Sequence, residues 1–231
     1  MFENFDFAVI SANLGRFFLE GMGFTLRLTF FAGLAGFLLG TSLTLVRMAS
    51  VPFVSRAIAV YINFIRSMPL VLLIFWFNFL LPGIWQEIIG SPYPITFNPL
   101  VLAFWTFTLF EAAYFAEIMR AGILSIPQGQ AAAGRALGLT GLQVSLFVVL
   151  PQAFKNVLPV LLTQLIALFQ DTTLVYIIGL KDFFRVIHIA AVRDGRQVEL
   201  FIFAAVVYCI ISYCSSLAVK KLQKPQQELW A

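Results

Sequence analysis

Seven ionisable residues stand inside or at the edge of otherwise apolar runs in this 231-residue chain: Arg27, Arg66, Glu111, Glu117, Arg120, Lys155 and Asp171. Each needs a reason, because a charge at the centre of a bilayer costs ~2.5–3.5 kcal/mol even on the lenient insertion scale. Glu117 and Arg120 are three apart on one helical face and can pair, Arg120 and Lys155 can reach the membrane surface, and Arg27 can snorkel from the start of its helix. Arg66, Glu111 and Asp171 are harder to reduce. Arg66 stands three residues before Pro69, whose ring crowds the carbonyl of Ile65 and breaks the helix. The irregular polar backbone that results is tolerated in membranes where it lines a cavity. Around such a break Arg66, Ser67, Thr172 and Thr173 can donate hydrogen bonds to an anion, while Glu111 and Asp171 can accept them from a cation. The bland alternative is an Arg66 to carboxylate pair that only locks helices together.

Other chemistries lack their parts. His188 is the one histidine, which excludes a multi-histidine metal centre, and it reads as an external loop residue. No H-E-x-x-H and no G-x-S-x-G occur, so an intramembrane hydrolase has neither metal site nor nucleophile elbow. No G-x-x-x-x-G-K-[ST] occurs either, so nucleotide hydrolysis belongs on another polypeptide. An ion-gradient-driven transporter survives as an alternative, since buried carboxylates serve such machines. Trp76, Trp85 and Trp105 fit lipid-facing or interfacial positions. Cys209 and Cys214 fall in one apolar stretch without disulfide spacing and read as small buried hydrophobes. A net charge of +4 spread through loops reports on orientation and gives no reason to expect a nucleic-acid partner.

The elements that must hold these residues are set by the solvent. With 61% hydrophobic and 11% charged residues, against roughly 25% charged in soluble domains, the chain belongs in lipid. Charge-free runs and turn residues predict an all-α integral membrane protein forming one domain over 1–231. Its five transmembrane helices are expected at about 22–46, 57–81, 99–122, 142–170 and 199–219. Pro52, Leu81-Pro82-Gly83 and Ser91-Pro92-Tyr93-Pro94 read as loops, and Lys220, Lys221, Lys224 and Pro225 as the end of the last helix. Pro151 and Pro159 should bend the fourth span. MFENFDF lacks the basic start of a cleavable signal, so the first span is expected to stay in the membrane. An odd span count puts the termini on opposite sides, with the lysine-rich tail in the cytoplasm and the N-terminus outside. Residues 171–198 then form an external interfacial segment, with a short helix in LKDFFRVI.

Between the third and fourth spans lies a loop, 123–141, too polar for lipid yet alanine-rich enough for a helix. Ser125 with Gln128 and Thr140 with Gln143 have capping-box spacing, and Gly138 can end a helix in the left-handed conformation. Ala131, Ala132, Ala133, Gly134 and Ala136 leave little side-chain bulk, so another protein surface can approach the backbone closely. The run GQAAAGRALGLTGLQVSLFVVLPQA, beginning at Gly129, resembles the cytoplasmic loop signature of permease subunits of binding-protein-dependent ABC importers. That signature is E-A-A, three residues, Gly, nine residues, I-x-L-P. It maps onto Ala132, Ala133 and Gly134, then Gly138, then Val148, Leu150 and Pro151, with Ala132 in place of the Glu and Gly134 in place of the second Ala.

The likeness narrows to the polar amino acid permeases. It is carried by Tyr61, Arg66, Ser67, Met68 and Pro69, by Tyr114, Ala116, Glu117, Ile118, Arg120, Ala121, Gly122 and Ile123, and by Gln170, Asp171, Thr172, Thr173 and Leu174. Within that group SMPLVLLIFWFNFLLPG and FFRVIHIAAVRDGRQVE look most like a glutamate/aspartate permease, with glutamine the alternative cargo. The resemblance implies a bacterial inner-membrane transport subunit without cofactor of its own. It implies a second permease subunit forming a heterodimer, a cytoplasmic ABC ATPase dimer holding ATP and Mg, and an extracytoplasmic solute-binding protein. It also implies ATPase coupling through Gly129, Ala132, Ala133, Gly134, Gly138, Leu150 and Pro151, while the donor and acceptor chemistry above makes Arg66, Ser67, Glu111, Asp171, Thr172 and Thr173 the expected substrate contacts.

Overall fold

The computed structural model describes residues 7–48 and 52–228, so all but the last residue of the opening MFENFDF stretch lies outside the described residues. Among the described residues there is no strand. Eight helical elements follow in chain order: α1 Phe7–Met48, α2 Pro52–Arg66, α3 Leu70–Ile89, α4 Pro99–Leu124, α5 Gln128–Ala136, α6 Gly141–Ile178, α7 Phe183–Asp194 and α8 Gln197–Glu228. Five of them, α1, α3, α4, α6 and α8, are long and apolar enough to cross a membrane, the number expected.

The boundaries differ from expectation for identifiable reasons. The predicted second span, 57–81, is two helices. Pro69 is extended at φ −61 and ψ 132, which stops α2 at Arg66 as its ring predicts. The 15 residues of α2, at ~1.5 Å each, are too short to cross ~30 Å of hydrocarbon. Leu81-Pro82-Gly83 is helix instead of loop. Trp76–Leu80 widens into a π turn, and that turn contains Asn78, whose carbonyl Pro82 would otherwise crowd. A second π turn, Val144–Val149, contains Phe147 and accommodates Pro151 in the same way, while Pro159 sits inside regular helix. The span ends instead at Gly90, left-handed at φ +64. There Gly90 N–H donates to Glu87 and Ser91 N–H to Gln86, satisfying two end carbonyls. Pro52 opens α2, a position where its missing N–H costs nothing. Helix α8 continues past Lys220 and Lys221 to Glu228.

Residue packing divides the chain into two units. One comprises Met1–Leu34, Met68–Thr108 and Leu165–Ser216; the other comprises Ala35–Ser67, Leu109–Gln164 and Leu217–Ala231. The first unit is built on α7. Phe183, Ile187 and Ala191 of α7 are fully buried with Phe17 of α1 and Leu200 of α8. The expected interfacial helix is therefore present but buries its apolar face in protein. Gly21 permits this, since a Cβ there would lie 2.9 Å from the Cα of Phe183. Asp182, itself buried, caps α7 by accepting from Phe184 N–H at 3.0 Å and Arg185 N–H at 3.1 Å. Thr25 of α1 accepts from Phe183 N–H at 3.0 Å. His188 is a helix residue, not a loop residue, stacked on Phe201 with centroids 5.9 Å apart. Cys209 and Cys214 are free thiols and exposed, against the expectation of burial.

The second unit joins the C-terminal part of α1 to α4. A Cβ on Gly40 would lie 2.6 Å from the carbonyl oxygen of Ala112 and 2.9 Å from the nitrogen of Ala116, so the backbones touch only because glycine is there. Thr44 Oγ1 donates to the Ala116 carbonyl at 2.7 Å. Tyr61 of α2 donates its hydroxyl to the Leu109 carbonyl of α4 at 2.6 Å.

Candidate translocation and coupling site

The six substrate candidates divide between the units. Arg66, Ser67 and Glu111 belong to the second; Asp171, Thr172 and Thr173 belong to the first.

Within the second unit, Arg66 ends α2 just before the break at residues 67–69. Its guanidinium carbon lies 5.4 Å from the centroid of the Tyr114 ring on α4. Among the described residues no hydrogen bond or ion pair takes its N–H edges, so the helix-locking pair to a carboxylate is not formed. The carboxylates of α4 are otherwise engaged. Glu111, completely buried, accepts from Gln164 Nε2 at 3.3 and 3.2 Å. Glu117 accepts from Arg120 Nε at 3.0 Å and from Arg47 at 3.5 Å. The Glu117 to Arg120 pair is the one their three-residue spacing predicts. The partner of Glu111 was not legible, because nothing in the spacing of Glu111 and Gln164 pairs them across 53 positions.

The three hydroxyls donate within their own segments. Ser67 donates to the Asn63 carbonyl at 2.7 Å, Thr172 to Phe169 at 2.7 Å and Thr173 to Gln170 at 2.8 Å. Each proton is held by its own helix, which leaves acceptor lone pairs on the exposed Ser67 and the half-buried Thr173. Asp171 closes the α-helical part of α6 and is half-buried; Thr172, directly after it, is fully buried.

The loop helix α5 is seated on one residue. Gly134 is buried, and a Cβ there would meet Val144 Cγ2 at 3.1 Å and Val148 Cγ2 at 3.4 Å in the π turn of α6. Ala132, Ala133 and Gly129 are exposed, as is Leu137 at 83%. Gly138 is left-handed at φ +81 as expected; its N–H donates to Arg135 and that of Leu139 to Gly134. Thr140 and Gln143 form the expected capping box, with Thr140 N–H donating to Gln143 Oε1 at 2.8 Å. The box expected from Ser125 and Gln128 is not formed. Pro127 occupies the cap position, while Ser125 Oγ donates to the Gly122 carbonyl and accepts from Asn156. A pocket of about 280 Å³ lies beside this seat, lined by Leu45, Met48, Ile123, Leu142, Ser145 and Leu150 among others.

Five apolar helices, a proline break beside an arginine with open N–H edges, and a small-residue helix presented on a glycine seat define a multi-span membrane transport subunit. Residues 32–225 match the family described as binding-protein-dependent transport system inner membrane component, and the chain belongs to it. The chain is 44% identical over 224 residues to the glutamate/aspartate import permease protein GltK of Escherichia coli O6:H1, covering 97% of this chain and 99% of that one. It is 35% identical to the probable glutamine ABC transporter permease protein GlnP of Bacillus subtilis, over 91% and 94%. A solved chain from an amino acid ABC transporter with histidines superposes with a TM-score of 0.82 at 27% identity, covering 95% and 98%. The family read from the loop signature is borne out. The chain is a multi-pass inner-membrane permease, a transport subunit.

Proposed function

We propose that this chain forms one half of the translocation path of an ATP-driven importer for an acidic amino acid, glutamate or aspartate. The observation that carries this reading is Arg66, a guanidinium beside the helix break that rests on the Tyr114 ring and, among the described residues, has no hydrogen bond or ion pair on its N–H edges. A carboxylate is the natural partner of a guanidinium fork. Identity of 44% to a glutamate/aspartate permease along nearly the whole of both chains supports the same cargo. In the second unit, Ser67 and Glu111 are the further candidate contacts of the cargo beside Arg66; in the first unit, Asp171, Thr172 and Thr173 are candidate contacts of their own.

The drive comes from elsewhere. ATP and Mg sit on a cytoplasmic ATPase dimer, the solute-binding protein delivers cargo from outside, and a second permease subunit completes a heterodimer. The chain runs with its N-terminus outside and its C-terminus in the cytoplasm. The exposed face of α5, with Ala132 and Ala133, and Leu137 directly after it dock on the ATPase, while Gly129, Gly138, Leu150 and Pro151 shape and hold the loop. Closure of the ATPases moves α5 against the π turn at Val144–Val149 and switches access to the cavity.

The test is ATP hydrolysis by the assembled complex in lipid, with binding protein loaded in turn with glutamate, aspartate, glutamine, arginine and histidine. Stimulation by glutamate and aspartate alone is expected. Stimulation by a cationic amino acid would overturn the cargo reading, and uptake that persists without ATP would restore the gradient-driven alternative. Leu137→Glu on the docking face is expected to lower cargo-stimulated hydrolysis by roughly tenfold or more, since a desolvated unpaired carboxylate opposes docking. Unchanged stimulation would remove α5 from the interface.

A further inference from the structure

Arg66 would be a poor receptor if its long side chain swept freely, because most of its rotamer freedom would be lost on each binding event. The second unit carries a device against this. Helix α2 is fixed to α4 by Tyr61, whose hydroxyl reaches the Leu109 carbonyl at 2.6 Å. One face of α4 then presents Glu111, Tyr114 and Glu117 at three-residue intervals. Tyr114 is the one of the three that meets the guanidinium, at 5.4 Å from ring centroid to Arg66. Its ring is backed by Phe110, with centroids 4.9 Å apart.

The choice of an aromatic ring here has a chemical consequence. A carboxylate contact would occupy one N–H edge of Arg66 and neutralise its charge. The face of a ring attracts the cation through its quadrupole and leaves every N–H free in the guanidinium plane. Both carboxylates flanking Tyr114 already accept from other side chains, Glu111 from Gln164 and Glu117 from Arg47 and Arg120; the Arg66 charge acts on Glu117 through space, without a hydrogen bond or ion pair among the described residues that takes its N–H edges.

We propose that Tyr114 is the positioning residue that aims Arg66 at the cargo, holding the guanidinium by its face so that its edges stay open for a carboxylate. This rests on the reading of Arg66 given above, and the two fail separately. The experiment measures ATP-dependent uptake by the complete complex in liposomes, comparing glutamate with glutamine, each delivered on its binding protein.

Tyr114→Leu is expected to lower the glutamate to glutamine uptake ratio by roughly three- to thirtyfold, the range a cation to ring contact spans between exposed and desolvated sites. Tyr114→Phe, which keeps the ring and loses only the hydroxyl, is expected to stay within about twofold of the parent. Because the readout is a ratio within one preparation, reduced assembly of a variant does not mimic the effect. In an Arg66→Gln background, Tyr114→Leu should cause no further fall in the ratio.

If Arg66→Gln leaves the ratio intact, the receptor reading is lost. If Arg66→Gln collapses the ratio but Tyr114→Leu preserves it, the positioning role is overturned while the receptor stands. If Tyr114→Phe falls as far as Tyr114→Leu, the hydroxyl and not the ring is what matters, and the proposal is equally overturned. A further loss from Tyr114→Leu in the Arg66→Gln background would place the action of Tyr114 elsewhere and overturn it as well.

Discussion

Asp182 illustrates how one residue can both organise and burden an element. Its carboxylate caps α7 and is wholly buried, and desolvation pushes its pKa from the ordinary 3.8 up to about 7 despite the bonds it accepts from Phe184 and Arg185. A folded-state pKa above the unfolded value means that the folded chain holds its proton more tightly. The stability this supplies is present in acid and declines as pH rises from about 4 to about 7. Asparagine keeps the capping oxygen without the charge. Asp182→Asn is therefore expected to be more stable than the parent at pH 8 by on the order of 2–4 kcal/mol, the gap closing toward pH 4. Thermal unfolding of the detergent-solubilised protein at several pH values checks this, and a gap that does not change with pH would refute it. Some residue roles were readable in advance, such as the Glu117 to Arg120 pair and the left-handed Gly138, because local spacing dictates them. The seat of Arg66 on Tyr114 was not, since it joins side chains 48 positions apart through the docking of two helices.

Among the elements, the legible features were those that proline and glycine write directly into the chain: the break at Pro69, the Thr140 to Gln143 cap, and five apolar spans. The illegible ones arose where a helix absorbs a proline by widening. Pro82 and Pro151 each follow a π turn, a geometry that no local pattern announces, so Leu81-Pro82-Gly83 reads as a loop and is helix. Close helix packing was equally hidden. Gly40 looks like any glycine in an apolar run, yet its absent Cβ is what lets α1 meet the Ala112 carbonyl and Ala116 nitrogen of α4. Gly40→Ala is expected to cost about 1–3 kcal/mol, because backbone atoms on both helices must shift. Gly83→Ala on α3, with nothing within 4 Å of the added atom, should be neutral or stabilising by about 1 kcal/mol through helix propensity. Thermal melts of the two variants side by side decide the point; equal losses would mean that the Gly40 contact carries no stability.

For the whole molecule, the family resemblance carried further than the physics of any one segment, because three blocks and a loop signature had to keep both order and spacing. What it left unwritten is which lipid-length helices face lipid and which face another subunit. The two exposed thiols of α8 are native reporters of that. Cys209 and Cys214 are five positions apart, which at ~100° per residue turns them ~140° around the helix, so they look in different directions. With one thiol removed at a time, as in Cys209→Ala and Cys214→Ala, a membrane-permeant maleimide carrying a fluorophore would read each direction separately in the assembled importer. A thiol covered by a partner subunit would label slowly and report a dry, blue-shifted environment. One facing acyl chains would be quenched by lipid-borne spin labels, giving a native depth gauge and an assembly sensor on the same helix.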